Sequence, residues 1–208
     1  MLKLFYAPGA CSMASHIALE EAGAKYERVR VNLAGGEQRS EAYAKINPKG
    51  RVPVLSTDQG ILTETTAILA YIAQTHPKAN LAPLDDPFAF ARVQEFNAYL
   101  SSTVHVSHAH RVRGSRWSDD PAVIEGLKPK VAQNMAEAFQ LIETKMLAGP
   151  YVLGDRFTVA DGYLFTMARW LEGDSVDIKK FPKVNDHQKR VADRPAVQAI
   201  LAAEKAAA

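Results

Sequence analysis

Cys11 is the only cysteine in the chain, and it stands in the run Phe5-Tyr6-Ala7-Pro8-Gly9-Ala10-Cys11-Ser12-Met13. That run reads as the end of a strand, a tight turn and the start of a helix. A thiol there faces unpaired backbone N–H groups and the positive end of a helix dipole, and both favour the thiolate. A thiolate is a nucleophile and a partner for disulfide exchange. The competing reading is a small buried hydrophobe. With no second cysteine, a disulfide must join Cys11 to a small thiol or to another chain. Tyr6 ends the strand and offers either a hydroxyl to a sulfur anion or a ring to the core.

Three other groups of residues bear on a site. Arg51-Val52-Pro53-Val54-Leu55 enters a strand. Proline there marks an edge or a cis bond. A cis Val52-Pro53 peptide would leave the Val52 N–H and C=O outside the sheet, ready to pair with an extended peptide ligand. Glu64-Thr65-Thr66 opens a helix whose free N–H groups suit a carboxylate, while the Glu64 side chain suits an ammonium. Together they fit an α-amino-acid head group; plain helix capping is the other account. His105, His108 and His110 cluster with Arg111 and Arg113. No carboxylate pattern for a metal accompanies them, whereas one histidine beside a thiol can exchange a proton with it.

The elements that must position these residues fall into two kinds. Residues 2 to 7 fit a buried strand, Ser12 to Ala22 a helix stopped by Gly23, and Lys25 to Leu33 a second strand with Val29, Val31 and Leu33 on one face. A short helix over Ser40 to Ile46 precedes the turn Asn47-Pro48-Lys49-Gly50. Strands at Val52 to Ser56 and Ile61-Leu62 and a helix from Glu64 to Thr75 complete a mixed sheet covered by helices. Prolines and aspartates between Pro77 and Pro87 read as a linker. Beyond it only helices appear. Pro87 and Pro121 follow aspartate caps, and Ile124 to Ile142 repeats every three or four residues, with Pro129 predicting an irregular turn or kink and Gly149-Pro150 the end. Thr158 to Asp161 fits a capping box for a helix over Gly162 to Leu171. Pro182 and Pro195 open two more, and Lys205 to Ala208 should fray. The boundaries are a first domain over 1–78, a linker over 79–87 and an all-helical domain over 88–208. A cleft between two such domains suits a small-molecule site.

The totals narrow the function. The 208 residues bury a full core, and a net charge of +2 makes no electrostatic case for nucleic acid or an anionic membrane. Met1-Leu2-Lys3-Leu4 has no secretory pattern, and no apolar run approaches the roughly 20 residues of a membrane span. The expected compartment is the cytoplasm, which would keep the thiol reduced. No glycine-rich phosphate loop appears, and neither a metal nor a cofactor is expected.

Four runs, in order, carry a family resemblance: Pro8-Gly9-Ala10-Cys11-Ser12, Asn47-Pro48-Lys49-Gly50-Arg51-Val52-Pro53, Leu62-Thr63-Glu64, and Phe157-Thr158-Val159-Ala160-Asp161-Gly162-Tyr163-Leu164-Phe165-Thr166. The chain resembles the bacterial beta-class glutathione S-transferases over nearly its whole length. The resemblance implies a thioredoxin-like α/β N-terminal domain, an all-α C-terminal domain and a two-fold homodimer. It implies glutathione as co-substrate and a hydrophobic electrophile as its acceptor, in the service of detoxification.

By position, the resemblance sets Cys11 opposite the glutathione sulfur and Val52, beside Pro53, against the cysteinyl backbone. Glu64 and Thr65 hold the γ-glutamyl end. His105, with Ser102 and Thr103, approaches the thiol, and Ala10 and Arg51 complete the binding set. Cys11, His105 and Tyr6 are the candidate catalytic residues, and the Thr158 box belongs to folding. Two places depart from the family pattern. Arg39 is the sole cation in the loop where many members carry a lysine for the glycyl carboxylate, and Ala98 stands where many carry asparagine. The expected reaction is attack of the glutathione thiolate on an electrophilic carbon, with the acceptor against an apolar wall. Glutaredoxin-like thiol–disulfide exchange through Cys11 and non-catalytic carriage of hydrophobic ligands are the alternatives.

Overall fold

Leu4 and Tyr6 point to one face of the first strand and Phe5 to the other, and this alternation seeds the sheet. In the computed structural model, which describes residues 1–207, β1 (Leu2–Tyr6) pairs in parallel with β2 (Tyr26–Arg30). On its other side β1 runs antiparallel to β3 (Val54–Thr57), which pairs with β4 (Gly60–Thr63). The order is β2-β1-β3-β4. Helix α1 (Ser12–Glu21) makes the crossover from β1 to β2. The short α2 (Glu41–Ala44) lies between β2 and β3, capped by the Ser40 hydroxyl. Helix α3 (Thr65–Thr75) follows β4. The expected mixed sheet is present. The second strand stops at Arg30, short of Leu33; the Val31 N–H still donates to the Tyr6 carbonyl at 2.8 Å, and Val31 and Leu33 pack with Tyr43 and Val54.

The helical part comprises α4 (Pro87–Tyr99), α5 (His105–Val112), α6 (Pro121–Leu141), α7 (Val159–Ala168), α8 (Pro182–Ala192) and α9 (Pro195–Ala206). Four of these open on proline, whose missing N–H costs nothing in the first turn. The Asp86 carboxylate accepts from the Phe88 and Ala89 N–H groups at 2.9 and 3.0 Å, and Asp120 accepts from Ala122 at 2.8 Å. A π turn over Leu100–Val104 joins α4 to α5.

Several boundaries differ from expectation. Helix α6 ends at Leu141, well before Gly149, and passes through a π turn at Ile142–Met146. There Glu143 is buried and caps α8, accepting from the Lys183 and Val184 N–H groups at 3.1 and 3.0 Å. Pro129 sits within α6 on its exposed face, and the α-helix is assigned without a break through it, in place of the irregular turn or kink expected there. Helix α7 starts three residues earlier than expected, since the capping box starts the helix directly after Thr158. The last helix continues through Lys205 to Ala206; Ala208 lies outside the described residues. Among the described residues no helix is long and apolar enough to cross a membrane.

Two helices join the halves. Eight consecutive residues of α1, Ser12 to Leu19, are buried, as are all ten of α7. A helix buried all round is covered on every side, here by the sheet, α3, α7 and α9. Gly162 permits the closest approach: a Cβ there would lie 3.2 Å from the Ile17 side chain. The segment before α4 is also fixed. Leu81 and Ala82 are buried, and the Leu81 carbonyl accepts from the Val159 N–H at 2.9 Å.

Candidate active site

Cys11 is the cap residue of α1. The Ser12 hydroxyl closes the preceding turn, accepting from the Ala7 N–H at 3.1 Å and donating to the Ala7 carbonyl at 3.2 Å. Gly9, at φ +70°, takes the left-handed conformation that the turn requires. The helical half grips the same residue from two directions. The Gly9 N–H donates to Glu204 of α9 at 2.8 Å, and its carbonyl accepts from the Trp170 indole at 3.0 Å.

The thiol is buried and donates to the Val52 carbonyl at 3.3 Å. Val52 lies outside the sheet ladder, at a cis Val52-Pro53 peptide. Burial pushes the Cys11 thiol up from its ordinary range. The Arg113 charge, a Thr65 hydrogen bond and the helix backbone pull the other way and are outweighed. The unliganded protein therefore holds Cys11 as a thiol, contrary to the thiolate that its place at a helix start predicts. The local dipole was legible in sequence; the burial was not.

At the start of α3, Glu64 adopts φ +72°, a strained conformation for a residue with a side chain. It presents the N-terminal backbone of α3 and the Thr65 and Thr66 side to the cavity. Its carboxylate pairs with Lys49 at 2.6 Å, with both side chains about half exposed.

The opposite wall comes from α5. Ser101, His105, Ala109 and Val112 share the face turned to Cys11. Ser102 and Thr103 do not line the cavity, whereas Ser101 of the same turn does. Burial, followed by the Arg113 charge, pushes His105 down to about 3. It is a neutral imidazole, and its buried Nε2 has no hydrogen-bond partner. The other two histidines turn elsewhere. His108 stacks on Trp170 and bonds Asp174 at 2.7 Å, while His110 stacks on Trp117.

Tyr163, which sequence reasoning passed over as part of a structural helix, also reaches this space. It is fully buried, and its hydroxyl has no partner. Burial pushes the phenol up, so it stays a donor, beside Cys11 and Thr65. Tyr6 and Ala10 do not line the cavity. Tyr6 has the same strand parity as Leu4, faces α1 and packs on His16 at 4.9 Å, while Ala10 packs toward Val52 and Val54.

These groups surround one cavity of about 690 Å3 between the halves, in the size range of small-molecule sites. An apolar acceptor wall was expected. Val106, Ala109, Val112 and Trp117 supply part of one, but Arg39, Arg51, Arg113 and Arg116 line the same space.

Residues 1–74 match the family model for the glutathione S-transferase N-terminal domain, and residues 107–203 that for its C-terminal domain. The chain belongs to the glutathione S-transferase family. Among its relatives, glutathione S-transferase GstA of Escherichia coli O157:H7 is 34% identical over 98% of each chain. A glutathione transferase homologue from Sulfitobacter, solved with bound glutathione, is 45% identical over 96% of each chain, with a TM-score of 0.93. The beta-class glutathione S-transferase of Sphingomonas chungbukensis is 35% identical over 97% of this chain and 98% of its own, with a TM-score of 0.84. The glutathione S-transferase fold, with its thioredoxin-like N-terminal half and helical C-terminal half, is thus the fold of this chain.

Proposed function

We propose that this protein is a glutathione transferase that binds the tripeptide along Val52 and the start of α3 and directs its sulfur at Cys11 and His105. The observation that carries the reading is the meeting, on one cavity, of the Cys11 thiol, the off-ladder Val52 backbone, the N-terminal end of α3 and an unpartnered neutral His105. The glutathione bound to the Sulfitobacter relative supports it. Glu64 and the α3 N–H groups meet the γ-glutamyl ammonium and carboxylate, with Lys49 yielding its hold on Glu64. Arg39 and Arg51 lie on the same half of the cavity for the glycyl carboxylate. Homodimer formation and cytoplasmic residence extend from the family resemblance.

A base as weak as His105 cannot hold the proton of a thiol, whose ordinary value lies near 8.5. Its role is to donate a hydrogen bond to the sulfur anion while the thiol proton leaves to water. The Tyr163 and Thr65 hydroxyls are further donors, and the Arg113 charge stabilises the anion at longer range. When the cysteinyl N–H of glutathione takes the Val52 carbonyl, the Cys11 S–H is released to hydrogen-bond the glutathione sulfur. In conjugation the thiolate attacks carbon, the C–S bond forms, and a leaving group such as chloride departs with the bonding pair.

Thiol–disulfide exchange is the second reading, favoured by the position of Cys11 on the cavity wall with no other cysteine in the chain to resolve it. Cys11→Ala separates the two. Conjugation of glutathione to 1-chloro-2,4-dinitrobenzene should fall about tenfold, the worth of one lost hydrogen bond to a charged sulfur. Exchange with glutathione mixed disulfides through Cys11 should vanish. Wild-type rates for both reactions in the variant would refute a direct role for Cys11.

A further inference from the structure

The cavity holds more positive charge than glutathione needs. Arg39, Arg51, Arg113 and Arg116 all line it, against one carboxylate, Glu64, which Lys49 already neutralises. None of the four guanidinium groups has an ion-pair or hydrogen-bond partner among the described residues, whereas Arg28, Arg92 and Arg194 each pair with a glutamate. Glutathione as its thiolate carries two net negative charges, two fewer than these arginines. Unpaired like charges facing one cavity repel one another and favour an anion between them. Arg116 shows this strain: burial and then the Arg51, Arg113 and Arg39 charges lower its affinity for a proton.

The surplus is on the helical side, on a turn whose backbone is held by hydrogen bonds and packing. Arg113 caps α5, and Arg116 and Trp117 follow on a tight turn. The Arg116 and Trp117 N–H groups donate to the Arg113 and Gly114 carbonyls, each at 2.9 Å. Gly114 is pressed against α6 so closely that a Cβ would lie 2.7 Å from the Ile124 side chain. Trp117 stacks on His110 with ring centroids 4.0 Å apart. This turn therefore presents two cations and a flat aromatic side chain to the space beyond the glutathione sulfur.

We infer that the acceptor substrate is an anionic electrophile, a planar aryl or unsaturated carbon skeleton bearing a carboxylate or a similar acid group. Arg113 and Arg116 bind the acid group and Trp117 lies against the skeleton. The inference rests on the transferase reading and names the substrate class of that same site. A guanidinium pair suits a planar oxyanion because its N–H forks match the two oxygens. An anionic acceptor of this kind stands in place of the hydrophobic electrophile that the family resemblance implies.

The test compares two acceptors of one reaction, 4-chloro-3,5-dinitrobenzoate and 1-chloro-2,4-dinitrobenzene. Each kcat/KM is divided by the uncatalysed rate constant with glutathione, which removes intrinsic reactivity. In both cases glutathione sulfur replaces chloride, which leaves with its electron pair. The ratio of benzoate to neutral acceptor should exceed ten in the wild type and fall at least tenfold in Arg116→Gln, with the change in the KM of the acceptor. Arg116→Lys should restore part of it. A wild-type ratio near or below one, with the neutral acceptor turned over, overturns the inference and leaves the transferase reading standing. A variant that raises the KM of glutathione and leaves the ratio unchanged also overturns it, because Arg116 would then serve the tripeptide. Turnover of neither acceptor overturns the transferase reading and the inference with it.

Discussion

Asp161→Ala should destabilise the protein by about 3–5 kcal/mol, the range for removing one partner of a buried, hydrogen-bonded charge. The Asp161 carboxylate is fully buried. One oxygen accepts from the Thr158 N–H at 2.7 Å and the Thr158 hydroxyl at 3.0 Å. The other accepts from the Val152 N–H at 2.7 Å and from His187 at 2.9 Å. Alanine would leave four donors from three separate segments without an acceptor and without water. The melting temperature should fall by roughly 10 °C, taking the usual 2–4 °C per kcal/mol for a chain of this size. Asp161→Asn should recover little, since its NH2 group would face a donor on one side or the other. Calorimetry checks both variants, and a loss below about 1 kcal/mol in the alanine variant would show the carboxylate to be dispensable.

The second large effect is acid sensitivity centred on His105. In the folded protein burial holds its titration near 3, whereas in the unfolded chain it titrates near 6.5. Below 6.5 the unfolded state takes up a proton that the folded state refuses. Stability is therefore complete above 6.5 and is lost as pH falls toward 3. The shift corresponds to roughly 5 kcal/mol over that window. His105→Phe, apolar and similar in shape, should remove this part of the slope, so its stability should exceed the wild-type trend increasingly below pH 6. Urea denaturation at several pH values between 4 and 8 measures the difference. The activity profile supplies a separate check. The rise of kcat/KM with pH should follow the glutathione sulfur, with no step near 6.5 that disappears in His105→Gln. Parallel stability curves for wild type and His105→Phe would contradict the neutral, buried state of this imidazole.

What was legible in sequence is what depends on local chemistry. Proline at first helical positions, the Asp86 and Asp120 caps and the Thr158–Asp161 box fix helix starts through residues two or three apart, and each is present, although the helix after Thr158 starts three residues earlier than expected. Helix ends were less legible. Helix α6 stops at Leu141 because Glu143 must reach α8, a contact forty residues away in sequence. The site divides in the same way. Cys11, Val52, Glu64 and Thr65 sit at strand and helix ends, so their positions could be read from turns, and the structure brings all four to the cavity. Tyr6 was open to correction from the sequence, since it shares the core-facing parity of Leu4. Ser102 and Thr103 were placed beside His105 by the family resemblance, and neither lines the cavity. Tyr163 and the Arg113–Arg116 turn left no local signal. Tyr163 reaches the sulfur site only because Gly162 lets α7 lie against α1, and the arginines converge only when the end of α5 and the loop that carries Arg39 come to line one cavity. Burial has the same origin. The charge states of Cys11 and His105 are set by what covers them, and that is decided by elements distant in sequence.

The central claim is that one tripeptide thiol is held between the Cys11 loop and the His105 face, and a crystal structure of the protein with glutathione measures it most directly. The account predicts the glutathione sulfur within hydrogen-bond reach of both Cys11 Sγ and His105 Nε2, with the cysteinyl N–H on the Val52 carbonyl in place of the Cys11 thiol. Glutathione bound away from this cavity, or Cys11 still bonded to Val52 and sealed from the ligand, would contradict it.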